Sequence, residues 1–84
     1  MKLVFLGKLA DLAGQGECAL AAPDGLDWPA LCARLEGHGG GELRDAVESD
    51  ETKVAVDGVL VTDKSAIRAG ESSEIAFLPP VSGG

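Results

Sequence analysis

The residues best placed to do chemistry lie at the end of the chain. Gly83 and Gly84 have no side chains, and they closely follow the pair Pro79 and Pro80. A glycine tail of this kind can pass through a narrow channel and present its terminal carboxylate inside another protein. Prolines favour an extended conformation, and six residues span at most about 20 Å. A frayed terminus would explain the glycines, but not the prolines that would direct them away from the domain.

No other group of residues has the types and spacing of an active site or a metal site. The one histidine, His38, lies beside glycines with no carboxylate at a fixed spacing, and such a histidine is usually a solvated loop residue. The glycines of 37–41 lack the Lys-Ser/Thr of a phosphate-binding loop. Glu48, Asp50 and Glu51 do not follow the ligand pattern of a calcium loop. We therefore expect no bound metal, no bound cofactor and no catalytic side chains.

The two cysteines, Cys18 and Cys32, do not have CxxC spacing. A single disulfide between them is an alternative, but a reducing compartment disfavours it. We expect both to be small, buried, apolar thiols.

Length and charge restrict the class of protein. The chain has 84 residues, enough for one domain with a modest core. Its 14 acidic and 7 basic residues give a net charge of -7, so it lacks the basic surface that nucleic-acid binding needs, and a basic protein partner suits it better. The apolar run after Lys2 is too short for a signal peptide, and no stretch approaches a membrane span. These features predict a cytoplasmic protein that binds neither nucleic acid nor membrane.

Alternation and helical spacing divide the chain into strands and helices. Asp27 is suited to an N-cap and Pro29 to the first turn of a helix that ends at Gly37. This helix has one apolar stripe, formed by Trp28, Leu31, Cys32 and Leu35. A weaker second helix follows at 42–48. The predicted strands are 2–7, 17–22, 52–57, the short 59–61 after the turn Asp57-Gly58, and 74–78.

This order of elements predicts an α+β fold. The first and last strands are the most apolar, so pairing them at the centre of the sheet buries both. That arrangement is the β-grasp: a mixed sheet of about five strands, with one main helix packed on one face. We expect the β-grasp domain at 1–78 and an extended, flexible tail at 79–84.

Alternation also predicts an apolar docking surface near the tail. Ile75 and Phe77 take the core face of the last strand, so Leu78 points to the other face. Val59 and Val61 pair toward the core in the same way, which leaves Leu60 outside. Exposed leucines beside the tail are typical of a surface that binds another protein.

The sequence resembles the small subunits of molybdopterin synthase, which are ubiquitin-like sulfur carriers. The ending Phe-Leu-Pro-Pro-Val-Ser-Gly-Gly at 77–84 carries most of this resemblance, and its last six residues are highly specific. The opening Lys-Leu-Val-Phe-Leu-Gly-Lys-Leu-Ala-Asp-Leu-Ala-Gly at 2–14 and the internal Val-Ala-Val-Asp-Gly at 54–58 are similar too. The terminal Gly-Gly alone is shared with ubiquitin and with the thiazole sulfur carrier.

The resemblance implies a mechanism and a set of partners. An E1-like adenylyltransferase would use Mg-ATP to form an acyl-adenylate on Gly84, and a sulfur-donor enzyme would supply the sulfur that displaces AMP. The resulting thiocarboxylate would enter the large synthase subunit, in a heterotetramer, and give its sulfur to cyclic pyranopterin monophosphate. The small subunit would not be an enzyme on its own. The implied residues of the tail and the partner-binding surface are Leu60, Leu78, Pro79, Pro80, Val81, Ser82, Gly83 and Gly84.

The chain departs from the family pattern at three places. The segment 70–74 is longer than the usual turn before the last strand, the glycines of 37–41 are unusual, and Asp57 stands where Asn is common. Other functions also fit a Gly-Gly terminus. They are a sulfur carrier for thiazole or another thiolated product, a ubiquitin-like modifier joined to lysines, and a binding module whose tail is idle.

Overall fold

The elements described here come from a computed structural model, which describes residues 1–80. In chain order they are β1 (Lys2–Phe5), α1 (Lys8–Ala13), β2 (Glu17–Ala19), β3 (Leu26–Asp27), α2 (Trp28–Glu48), β4 (Lys53–Val56), β5 (Val59–Leu60), a 3-10 turn (Lys64–Ala66), β6 (Arg68–Ala69) and β7 (Glu74–Leu78).

The predicted sheet is confirmed, with the first and last strands at its centre. Its order is β2-β1-β7-β4-β5. Strands β1 and β7 are parallel, with Leu3 opposite Ile75 and Phe5 opposite Phe77, while the other pairs are antiparallel. Because β7 has a neighbour on each side, its alternate residues are fixed on opposite faces of the sheet.

The core lies between one face of the sheet and the two helices. The rings of Phe5 and Phe77 stack with centroids 5.4 Å apart, and Leu31 and Leu35 of α2 are fully buried in the same cluster. Trp28 is half-buried and packs at the margin of this cluster. The amphipathic stripe predicted for the helix therefore faces the sheet, as expected.

Both ends of α2 follow the prediction, but the interruption within it lies later than expected. The Asp27 carboxylate accepts a hydrogen bond from the backbone N–H of Ala30 at 3.0 Å. Helical geometry continues past Gly37, is interrupted at Gly40, where φ is 78° and ψ is -173°, and resumes as far as Glu48, so α2 consists of two helical parts. The first part therefore ends a few residues later than the expected Gly37, because glycine is unfavourable in a helix interior but does not prevent one. The second part confirms the weaker helix predicted at 42–48.

Close packing between the helices explains one of these glycines. A Cβ atom on Gly39 would lie 2.8 Å from the carbonyl oxygen of Leu12 and 2.7 Å from Cδ2 of Leu43. Only a residue without a side chain lets α1 approach α2 this closely. The glycine segment is therefore a helix contact and a kink rather than a linker.

A small second sheet was not predicted. It pairs β3 with β6 in antiparallel fashion, through Leu26 opposite Ala69 and Asp27 opposite Arg68. Each strand has only two residues, which is too few for alternation to appear in the sequence. This ribbon holds the chain beside the N-terminus of α2.

Candidate functional site

The face of the sheet that carries no helix is called the open face below. Cross-strand pairs define its two central rows. The first row contains Val4, Ala76, Ala55 and Leu60, and the second contains Leu78 and Lys53. Leu6 continues the alternation of β1 beyond its last strand residue. The open face thus has small residues at its centre and leucines toward the tail.

The two leucines predicted for docking both lie on the open face, but they differ in exposure. Leu60 is 60% exposed, whereas Leu78 is half-buried. The expectation that Leu78 is exposed is therefore corrected: it lies on a strand with neighbours on both sides, while Leu60 lies on the edge strand β5. Leu6, at 42%, is a third exposed leucine. The sequence analysis missed it, although the same alternation, continued one residue past β1, could have found it.

Val59 does not face the core as predicted. It is opposite Val56 in the pairing of β4 and β5, yet its side chain is 69% exposed. The reason is that β5 is a two-residue edge strand, and its inner side is not covered at this point. Val61, in contrast, packs against the core as expected.

A tight turn holds Leu60 in place on the edge of the sheet. Asp57 and Gly58 have positive φ angles of 51° and 83°, as the favoured two-residue hairpin turns require. The Asp57 carboxylate accepts a hydrogen bond from the backbone N–H of Glu74 at 2.9 Å, and the Asp57 N–H donates to the Glu74 carbonyl at 2.8 Å. The hairpin is thereby tied to β7, the strand that leads into the tail.

The two ends of the open face differ in polarity. At the end distant from the tail, the Lys2 ammonium lies 3.4 Å from the Glu17 carboxylate and 3.7 Å from that of Glu74. At the other end the chain leaves β7 after Leu78, beside Lys53. Leu6 and Leu78 lie at this end beside Lys53, so the end from which the tail departs is the less charged of the two.

The tail begins against the domain. Pro79 and Pro80 are both half-buried. Val81, Ser82, Gly83 and Gly84 lie outside the described residues, so the roles expected for them remain predictions.

The thiols are poorly suited to sulfur chemistry. Cys32 is buried, and burial, with a smaller effect of the Glu48 charge, raises the pKa of its thiol to about 11. Cys18 is only half-buried, contrary to expectation, and burial raises its thiol pKa as well. Both thiols are free. Because the thiolate is the nucleophile, neither side chain is activated near neutral pH.

Two further features are absent from residues 1–80. No group of three or more His, Cys, Asp or Glu side chains there could hold a metal ion. No helix within this part of the chain has both the length and the apolar character needed to cross a membrane.

Solved structures share this fold. Small archaeal modifier protein 1 from Methanosarcina acetivorans matches with a TM-score of 0.77 at 20% identity, over 99% of this chain and 94% of that one. A protein from Pyrococcus furiosus described as molybdopterin converting factor subunit 1 matches with a TM-score of 0.76 at 19% identity, over 95% of each chain. At these identities the likeness shows the fold: the chain is a ubiquitin-like β-grasp protein.

The sequence itself gives the family. The chain belongs to the ThiS family, which matches residues 3–84, and its class is that of the small ubiquitin-like sulfur carriers. Small archaeal modifier protein 1 from Haloferax volcanii is 30% identical, with a TM-score of 0.69, over 100% of this chain and 98% of that one. A comparison with curated proteins gives no match.

Proposed function

We propose that this protein is the sulfur-carrier subunit of a molybdopterin synthase, and that Gly84 carries the sulfur as a thiocarboxylate. The observation that supports this most directly is the position of the open face. Its apolar end, with Leu6, Leu60 and Leu78, adjoins the point where β7 leads into the Pro-Pro-Val-Ser-Gly-Gly ending. A partner that covers this end would receive the tail at the same time.

The chemistry takes two steps, both on the terminal carboxylate. A carboxylate oxygen attacks the α-phosphorus of Mg-ATP in the activating enzyme, and pyrophosphate leaves. A sulfur nucleophile then attacks the acyl carbon, the bond to the phosphate oxygen breaks, and AMP leaves. A carboxylate is a poor electrophile until AMP is its leaving group, and a thiocarboxylate sulfur is a good nucleophile.

Each step of the proposed chemistry needs a partner protein. An E1-like adenylyltransferase and a sulfur-donor enzyme load the tail, and the large synthase subunit uses it on cyclic pyranopterin monophosphate. Two deliveries build the dithiolene. The carrier binds no cofactor of its own and supplies no catalytic side chain. The cytoplasm, where Mg-ATP is available, is the proposed location.

Deletion of Gly84 tests this proposal. The wild-type protein, incubated with the activating enzyme, Mg-ATP and sulfide, should gain the mass that replacement of one oxygen by sulfur produces. The shortened protein should keep its circular dichroism spectrum and gain no sulfur. A shortened protein that still becomes thiocarboxylated at its new terminus would contradict the proposal.

A second candidate function is that of a ubiquitin-like modifier joined to lysines of other proteins. The 30% identity to small archaeal modifier protein 1 from Haloferax volcanii favours it. It uses the same acyl-adenylate, but a lysine amine displaces AMP and forms an isopeptide. Mass spectrometry of cell extracts for Gly-Gly remnants on lysines distinguishes it, and co-purification of the large subunit distinguishes molybdopterin synthase from a thiazole synthase.

A further inference from the structure

Gly7 lies where three parts of the chain meet. β1 has just ended, and the Leu6 N–H still donates to the Phe77 carbonyl at 3.2 Å. The Gly7 carbonyl accepts from the Ala10 N–H at 3.1 Å, within the first turn of α1. The third part is the start of the tail, because a Cβ on Gly7 would lie 3.0 Å from Cγ of Pro79.

The backbone at Gly7 adopts a conformation that favours glycine. Its φ is 55° and its ψ is -134°, which lies outside the left-handed helical region that Asn or Asp sometimes occupies. A side chain would be strained there, and it would also press against the Pro79 ring. Glycine at position 7 therefore permits the backbone conformation found there and also leaves room for the Pro79 ring.

We propose that Gly7 is a positioning residue, whose bare backbone lets the Pro79 ring pack against the domain and so sets the direction in which the tail leaves it. The inference rests on the proposed function, which it deepens. Proline has a fixed φ, and the residue before it is restricted to extended conformations. Few rotations remain between Leu78 and Pro80, so a displacement of the Pro79 ring is passed on to Pro80.

Gly14 provides a matched control at the other end of α1. Its φ of 78° is also positive, but a Cβ there would meet nothing within 4 Å. Gly14→Ala thus introduces a side chain at a positive φ in the same helix without touching the tail. Because Gly14 lies in the left-handed helical region, with a ψ of 7°, an alanine there is less strained than at Gly7. The Pro79→Ala background then separates the contact with Pro79 from the backbone strain at Gly7.

The experiment compares the wild type, Gly7→Ala, Pro79→Ala, the double variant and Gly14→Ala, each checked by circular dichroism. Single-turnover thiocarboxylation with the activating enzyme, Mg-ATP and sulfide gives the rate of sulfur loading. Calorimetric titration gives the dissociation constant of the complex with the activating enzyme. We expect Gly7→Ala to slow the reaction by about tenfold or more, because small misplacements of a reacting group are costly. Its dissociation constant should stay unchanged, since the open face is intact, and Gly14→Ala should match the wild type.

The double variant decides whether the contact is the cause. If Pro79→Ala removes the ring that a side chain at position 7 would press against, Gly7→Ala should slow thiocarboxylation little further in that background. The two decreases in rate should then not multiply. Effects that multiply, or an equal loss in Gly14→Ala, would overturn the inference. So would a Gly7→Ala protein that reacts at the wild-type rate.

A second measurement separates this inference from the proposed function. In the free wild-type protein, NMR should show a nuclear Overhauser effect between the Gly7 α-protons and the Pro79 ring protons. Residual dipolar couplings of the Val81 and Ser82 amides should change in Gly7→Ala but not in Gly14→Ala. Wild-type protein that never gains sulfur would reject the function alone, whereas unchanged couplings would reject the role of Gly7.

Discussion

The two sides of strand β7 perform opposite tasks with alternate residues. On the helix side Ile75 and Phe77 are completely buried, whereas on the open side Ala76 and Leu78 are half-buried. The large side chains that stabilise the fold are on one side only. The other side keeps small residues at its centre and leucines at its margin, so a partner can bind there without disturbing the core.

Charge follows the same division. Segment 42–51, at the C-terminal end of α2, carries five acidic residues and one basic residue, and Arg44 lies near the carboxylates of Glu36 and Glu48. On the open face, by contrast, Lys2 and Lys53 balance Glu17 and Glu74. An acidic field that would attract a basic partner thus originates away from the surface that the partner would contact. Contact there removes few charges from water, which keeps the desolvation cost low.

The largest expected effect is on the helix side. Leu31→Ala should reduce the free energy of unfolding by about 2–5 kcal/mol, because it leaves a cavity in a fully buried cluster. A domain of this size has only about 5–15 kcal/mol in total. Urea unfolding measures the loss, and Leu60→Ala, the same change at an exposed site, should cost less than about 0.5 kcal/mol. Equal losses of unfolding free energy in Leu31→Ala and Leu60→Ala would contradict the inference that the helix side of the sheet, and not the open face, stabilises the fold.

The open side should show the reverse pattern. Leu60→Asp is expected to weaken binding to the large synthase subunit by more than about tenfold, roughly 1.4 kcal/mol, without unfolding the free protein. Leu78→Asp should weaken binding similarly, but with some loss of stability because Leu78 is half-buried. Calorimetric titration and circular dichroism separate the two effects. Unchanged affinity in Leu60→Asp would remove this leucine from the interface.

The features predicted correctly are those that short segments determine. Alternation in β1 and β7, the cap at Asp27 and the turn at Asp57-Gly58 each depend on neighbours in sequence. The exposure of Val59 depends instead on which element packs nearby. No local pattern contains that information.

The candidate site also combines features that local sequence patterns predict with a contact that they do not. Leu60 and Leu78 could be placed on one face because β7 alternates regularly and the turn at Asp57-Gly58 sets the pairing of β5 with β4. The contact of Gly7 with Pro79 joins residues from opposite ends of the sequence, and it exists only because β1 and β7 run parallel and end together. The sequence pattern predicts Gly7 only as the last residue of a strand at 2–7, whereas β1 ends at Phe5.

The buried thiol of Cys32 should make the stability of the protein depend on pH. Because the folded state raises the pKa of Cys32 to about 11, its stabilising contribution is complete below the unfolded pKa of about 8.5. It is lost as the pH rises through about 11. The wild type should therefore lose stability over this range more steeply than Cys32→Ala. Lys64, whose pKa burial lowers, is coupled to Cys32 by charge, so the difference between the two proteins reports the titration of both groups together.

The smallest expected effect is that of removing both thiols on sulfur transfer. A Cys18→Ser, Cys32→Ala protein should form the thiocarboxylate within about twofold of the wild-type rate, because neither thiol has an activated thiolate near neutral pH. Some stability will be lost at Cys32, so the assay is made where unfolding curves show both proteins folded. Intact-mass kinetics give the rate, and alkylation of the wild type with iodoacetamide should label Cys18 before the buried Cys32. A folded double variant that gains no sulfur would show that a cysteine is required for the reaction, and would contradict the expectation that neither thiol takes part.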